Sequence, residues 1–257
     1  MIGRDLTGYW RQTTTLPSAY ETPGSTGGSA HRLAAERLFE ASQSFLATLP
    51  WRTGLRLLDV GAGYGFHSRH FASRGARVTA LTIHASSTLA ADARDAGYAL
   101  VAADMHAAPM IDGAFDGIWS HHALEHSVAA PMLLREWYRM LTPGGWLAVT
   151  VPPHKDDIVS GHLHTGWNVG QLVYLTGLAG FELRGGRFLQ QGYNVRALVR
   201  RPTEDVDPTG LSWLRVLKGR LPPALVPYLR EHPNSLGAYS FPGRIAYLDD
   251  DRCEFLF

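Results

Sequence analysis

A chain of 257 residues has room for one α/β domain with extensions, or for a domain and a half. Apolar residues make up 45% of it, enough for a sizeable core, and a formal charge of +1 argues against a nucleic-acid or membrane-surface partner. The lone Cys253 excludes an internal disulfide, and no apolar run has the form of a signal peptide or the length of a membrane span, so a cytoplasmic protein is expected.

Residues 1–29 hold Tyr9, Trp10, Tyr20 and Pro23 before a run of Gly and Ser, which reads as an irregular N-terminal arm. From Ala30 to Leu49, the spacing of Leu33, Leu38, Phe39, Phe45, Leu46 and Leu49 predicts an amphipathic helix. Leu55, Leu57, Leu58 and Val60 then form a short apolar run suited to a strand buried on both faces. Gly61, Gly63 and Gly65 stop it, and Phe66, His67, His70, Phe71 and Ala72 recur at helical spacing up to Gly75. Strand, glycine turn and helix N-terminus together make a cradle into which a ligand can come close to the backbone.

Alternation continues downstream. Strands are predicted at Arg77–Thr82, Tyr98–Ala103, Ala114–Ser120 and Trp146–Val151, with helices at Ser86–Ala96 and Met132–Leu141 and a turn at Pro143-Gly144-Gly145. Asn168 is placed to cap a helix running to Leu178, and Phe181–Phe188 and Tyr193–Val199 can close the sheet as an antiparallel pair. This is the pattern of a doubly wound, mostly parallel sheet with helices on both faces. Residues 202–257 carry Trp213, Leu214, Val216 and Leu217, which suggest one short helix, among many prolines. They read as an appended lid or dimerisation segment, a homodimer being one arrangement they allow.

The glycine spacing is G-x-G-x-G, so the dinucleotide fingerprint G-x-G-x-x-G is not met. Asp59 to Gly65 instead resembles the first motif of class I S-adenosylmethionine (SAM) methyltransferases. Phe115 to Ser120 resembles their fourth-strand motif, and Leu141 to Leu147 the turn before their fifth strand. The likeness spans roughly residues 50–200. It implies a Rossmann-like, seven-stranded SAM-binding domain over residues 30–201, flanked by the arm and the C-terminal segment. Ligands in such folds sit beyond the carboxyl ends of the strands. The resemblance therefore assigns Asp59, Gly61, Ala62, Gly63 and Gly65 to SAM, with Asp104 and Met105 beside the adenine and Ser120 and His121 near the methionine end. One departure is evident: the acid that holds the ribose hydroxyls is replaced by Thr82.

The chain has 12 histidines, densest in His121-His122-Ala123-Leu124-Glu125-His126. On a helix starting there, His122, Glu125 and His126 share one face and can offer three ligands to one metal ion. The arrangement resembles the E-x-x-E-H motif plus distant His of small-RNA 2′-O-methyltransferases and ubiquinone-pathway O-methyltransferases. That resemblance makes His162, or alternatively His164, the fourth ligand. It implies a divalent ion: magnesium or manganese by precedent, zinc or iron by the imidazole-rich set. His121 and His154 are the candidate bases for removing the acceptor proton.

The expected function is thus SAM-dependent O-methylation of a small molecule with vicinal oxygens, a sugar by preference because Tyr20, Trp119 and Trp167 are expected around the pocket. Alternatives are a metal-independent methyltransferase with His126 or His154 as sole base, and a catalytically silent SAM-fold protein, which Thr82 motivates. A nicotinamide oxidoreductase is disfavoured by the glycine spacing.

Overall fold

The computed structural model describes residues 27–159 and 161–204, together with four short strands at 230–231, 239–240, 245–249 and 252–255. The arm, the helix expected near Trp213, and Tyr20 lie outside the described residues. The chain falls into two compact units, Met1–Leu46 and Ala47–Phe257. In the first, helix α1 spans Gly27–Leu46, three residues earlier at each end than the apolar spacing suggests.

The second unit is built on a nine-stranded sheet. Its first five strands are β1 (Arg56–Val60), β2 (Arg77–Thr82), β3 (Ala99–Ala102), β4 (Phe115–His121) and β5 (Leu141–Val151). After them come β6 (Glu182–Gln191), β7 (Asn194–Arg200), β10 (Ile245–Asp249) and β11 (Arg252–Phe255). A separate ribbon pairs β8 (Arg230–Glu231) with β9 (Tyr239–Ser240). The order across the sheet is β3-β2-β1-β4-β5-β7-β6-β10-β11, parallel from β3 to β5 and antiparallel beyond. The first seven of these strands form the mostly parallel seven-stranded sheet that the sequence resemblance implies. From the C-terminal segment, β10 and β11 extend it. They satisfy the β6 edge, whose backbone groups would otherwise be unpaired, with Tyr247 opposite Leu189 and Leu248 opposite Phe188.

The sheet has two different faces. Leu58, Ile118, Leu147 and Val199 lie in one row across β1, β4, β5 and β7, and Val60, Ser120, Val149 and Ala197 in the next. That face buries its apolar side chains with Leu133, Leu134 and Trp137 of α4 (Ala130–Met140) and Leu172 and Val173 of α5 (Val169–Ala179). Each fully buried Leu or Val there contributes roughly 1.5–3 kcal/mol. The caps follow the sequence: Asn168 Oδ1 accepts from Gln171 N at 2.8 Å, and Ser86 Oγ from Leu89 N at 3.1 Å at the start of α3 (Ser87–Ala96). The opposite face carries Asp59, Trp119, His121, Thr150 and Arg196. On it Phe71 of α2 (Phe66–Ser73) meets Trp119 edge-on, 5.6 Å between ring centres. Strand order reverses between β1 and β4, so the crevice at the carboxyl ends of β1 and β4 is where this topology opens to a ligand.

Candidate active site

The glycine loop is pinned from below. Gly61 N and Ala62 N both donate to Leu81 O, at 2.9 and 3.1 Å, which ties the loop to the end of β2. Gly65 has φ +82°, and a Cβ there would lie 2.5 Å from Tyr98 Oη and 2.8 Å from Leu89 Cδ1. The protein itself therefore requires glycine at 65. Gly63 differs: its φ is +56°, and the nearest atom to a Cβ would be Gly61 O at 3.7 Å. Among the described residues that side is open, which leaves room for a ligand to approach the backbone closely.

Asp59 stands directly below this loop, 2% exposed, accepting from Ser68 Oγ at 2.6 Å. Burial pushes its carboxyl up to about 7, against the opposing pull of the Ser68 hydrogen bonds. At the end of β2, Thr82 is buried and its hydroxyl accepts from His84 N at 3.2 Å, closing the turn. After β3, Asp104 Oδ1 receives His106 N at 2.8 Å and lies 2.7 Å from His106 Nδ1. Burial raises the Asp104 pKa, but the two His106 contacts outweigh it and hold it below its usual value. His106 Nε2 lies 2.8 Å from Ser127 Oγ, so one imidazole couples the loop after β3 to the loop after β4. Met105 is half-buried against the core.

Trp119 and His121 stack in parallel, 5.7 Å apart with their planes 6° off, and His67 of α2 tilts against both. Burial, with other imidazoles nearby, drives His67 down to about 3 and His121 well below its ordinary value. Both rings are neutral at physiological pH, and His121 is a poor proton acceptor. Ser120 Oγ is buried on the other face of β4 without a hydrogen-bond partner among the described residues. His154, on the loop after β5, is largely exposed, its Nδ1 3.2 Å from Thr165 O. Trp119 and Trp167 are fully buried, Trp167 within the apolar core, so neither offers the stacking platform expected for a sugar.

The helix expected from His121 does not form. Instead β4 runs through His121, His122 takes φ +53°, and a single 3-10 turn covers Leu124–His126. This conformation takes His122 away from the metal-ligand face. Its Nδ1 lies 3.2 Å from Glu125 Oε1 and its Nε2 2.9 Å from Asn194 Oδ1, while its ring stacks on Tyr193. With both ring nitrogens taken up, His122 holds Glu125 in place rather than offering a lone pair. Glu125, His126 and His162 do come together, each with a ligand atom within 4.8 Å of the others'. Glu125 is 0% exposed, and its Oε2 has no hydrogen-bond partner among the described residues. His126 Nδ1 lies 2.7 Å from Gly161 O, a contact that fixes the proton on Nδ1 and leaves the Nε2 lone pair outward. Burial holds His162 below its ordinary pKa despite the nearby Glu125 charge, so it too is neutral at pH 7. A buried carboxylate oxygen without a partner among the described residues, beside two imidazoles, fits a divalent ion as a three-ligand set. His164, the alternative ligand, sits instead against Trp167.

Sequence reasoning missed His67, His106, Tyr193, Asn194 and Arg196. The buried arginine inside an otherwise apolar strand was the one visible signal. A hollow of about 530 Å³ between Trp51, Arg52, Gly144, Trp146 and Arg200 lies at the amino ends of β1 and β4, away from the glycine loop at the carboxyl end of β1.

Residues 58–149 match the methyltransferase domain family. The malonyl-[acyl-carrier protein] O-methyltransferase of Enterobacter lignolyticus is 37% identical over 110 residues, 43% of this chain and 44% of that protein. Its namesake from Serratia marcescens is 36% identical over 132 residues, 51% of this chain and 52% of that protein. The chain thus spans about half the length of the curated relatives it matches. Among solved structures, 1,6-didemethyltoxoflavin-N1-methyltransferase of Burkholderia thailandensis superposes with TM-score 0.56 at 18% identity, covering 68% of this chain and 84% of that one. A SAM-dependent methyltransferase of Aquifex aeolicus gives 0.53 at 17%, covering 66% and 97%.

Proposed function

We propose, for a chain that carries a class I SAM-dependent methyltransferase domain, that it transfers the SAM methyl group to an oxygen of a small acid in the crevice between β1 and β4. The observation that carries this reading is the glycine loop, pinned to β2 through Leu81 O and, among the described residues, open beside Gly63. Bound SAM supplies an electrophilic methyl on a sulfonium, displaced in line by the acceptor oxygen. Protein groups then have to orient the acceptor and exclude water.

A carboxylate acceptor is supported by the malonyl-type relatives and by the chemistry of His121. A hydroxyl must lose its proton to react, and an imidazole held far below its ordinary pKa is a weak base for that task. A carboxylate is already ionised and needs none. The sugar expected from the sequence loses its support with the burial of Trp119 and Trp167. A second reading keeps a hydroxyl acceptor with a neighbouring oxygen, favoured by the grouping of Glu125, His126 and His162. There a divalent ion would lower the hydroxyl pKa, and His154 is the exposed base. Methyl transfer from SAM to a malonyl thioester, run beside a panel of sugars and catechols with and without chelator, separates the two. Transfer to the thioester unaffected by chelator is expected.

Two further outcomes test the cofactor site. Thr82→Asp is expected to hold SAM affinity within a few-fold or tighten it, since a carboxylate can take over the His84 N–H and add an acceptor for the ribose. A large loss in calorimetric titration would remove Thr82 from the ribose edge. Asp59 should make binding pH-dependent. Its folded pKa of about 7 lies above the usual 3.8, so the folded protein holds a proton the unfolded chain releases. That burial costs stability above pH 4, increasingly up to pH 7. A cationic ligand overhead favours the ionised form, so SAM affinity should rise with pH, by at most roughly tenfold per unit between pH 5 and 7. Asp59→Asn should flatten the profile, and an unchanged slope would exclude Asp59 as its source.

A further inference from the structure

The loops after β3 and β4 meet directly, although the sheet sets β2 and β1 between those strands. A chain of hydrogen bonds joins them. Ala129 N donates to Ser127 Oγ at 3.1 Å, and Ser127 Oγ lies 2.8 Å from His106 Nε2. His106 Nδ1 lies 2.7 Å from Asp104 Oδ1, which also accepts from His106 N at 2.8 Å. An ionised carboxylate only accepts, so Nδ1 carries the proton, and Nε2 of the neutral ring is left to accept from the Ser127 hydroxyl. A hydroxyl, an imidazole and a carboxylate in this order have the connectivity of a nucleophilic triad. Ser127 is 0% exposed, however, so no substrate carbonyl reaches it. The open end is the other one. The Asp104 side chain is 56% exposed against 18% for His106, and Ala103 N donates to Thr82 O at 3.0 Å, which ties the start of this loop to the end of β2. Both contacts from His106 fall on Oδ1, and Asp104 Oδ2 has no hydrogen-bond partner among the described residues.

We infer that His106 is a positioning residue for the cofactor: braced on buried Ser127, it fixes the Asp104 carboxylate so that Oδ2 accepts from the exocyclic amine of the SAM adenine. This rests on the SAM-dependent reading of the domain and not on which acceptor is methylated. Two donors on Oδ1 stop the carboxylate from turning, so little rotational freedom remains to be lost when the ligand arrives. The glycine loop offers close approach to any chain of the right shape, whereas a fixed carboxylate oxygen selects the base that carries an N–H donor.

The test is calorimetric binding of S-adenosylhomocysteine and of its deaminated analogue, in which hydrogen replaces the exocyclic amine. Wild type is expected to prefer S-adenosylhomocysteine by at least about tenfold, the scale of one hydrogen bond to a charged group. His106→Asn keeps an amide N–H near the Nδ1 position, so a preference above about fivefold should survive. His106→Gln reaches the Nε2 position instead and frees the carboxylate to turn, so the preference should fall to within about threefold. Melting temperatures should run the other way, because His106→Asn leaves the buried Ser127 hydroxyl without its acceptor. A merely structural imidazole would make ligand preference follow melting temperature. Asp104→Asn should also lose the preference, since the position held by two donors must stay oxygen and the amide nitrogen then faces the ligand. No preference in wild type, or a preference unchanged in His106→Gln or in Asp104→Asn, overturns the role of His106. If His106→Gln does not fold, His106→Ala decides by the same criterion. An intact preference without methyl transfer to a malonyl thioester would keep that role and remove the proposed acceptor. Transfer to the thioester by a wild type that does not distinguish the two ligands would do the reverse.

Discussion

Gly63→Val is expected to give a folded protein whose SAM affinity falls by at least about 100-fold, the free-energy scale of a side chain forced into a ligand's close approach. The residue takes φ +56°, so any side chain there costs roughly 1–2 kcal/mol of backbone strain. A domain of typical stability tolerates that. Among the described residues, the chain neighbours aside, the nearest atom to the added Cβ is Gly61 O at 3.7 Å, so the volume of the new side chain goes into the crevice proposed for the cofactor. Gly65→Val provides the contrast, because its Cβ would collide at 2.5 Å with Tyr98 Oη, which is itself held on Asp92 Oδ2 at 2.7 Å. That variant is expected to lose the fold and not merely the ligand. Thermal melting beside calorimetric titration distinguishes them. Undiminished SAM binding by a folded Gly63→Val protein would move the cofactor away from this loop.

The second large effect concerns Glu125 and His126. If Glu125, His126 and His162 hold a divalent ion, wild-type protein should melt at a higher temperature when manganese is added, and the Glu125→Gln, His126→Gln double variant should not. Methyl transfer to a vicinal diol should then fall by about two orders of magnitude in the variant, with SAM affinity unchanged, since the glycine loop is separate from these residues. Without the ion, the same substitutions should raise stability slightly. Gln removes a buried charge with an unpartnered oxygen, and its amide still reaches His122. The sign of the melting shift with manganese is therefore decisive. Full transfer by chelator-treated wild type would dismiss the metal reading and leave the carboxylate reading alone.

Much of this protein is legible in its sequence because the relevant forces are short-range. Leu57, Leu58 and Val60 followed by glycines, Ser86 and Asn168 at helix starts, and alternating strand and helix periods are decided within a few residues of chain. They specify the parallel sheet, the cradle after β1 and the crevice at the carboxyl ends of the strands. What the linear pattern could not decide is which histidines meet, because those contacts join distant segments. His122 turns to Asn194 across 72 positions, and His126 to Gly161 across 35. A positive φ at His122, which helical spacing cannot foresee, replaces one expected ligand by a residue that positions another. The role of residues 245–255 was likewise hidden, since an edge strand is defined only by the edge it finds, here β6. Arg196 is the plainest case. Its neighbours in sequence are apolar, but the register of three strands sets it in line with Thr150 and His121 on one face of the sheet. The sequence by itself determined the seven-stranded part of the sheet and the place of the glycine loop. Only the tertiary pairing decided which polar groups share one face of it, because strand register, not residue order, sets which side chains lie side by side.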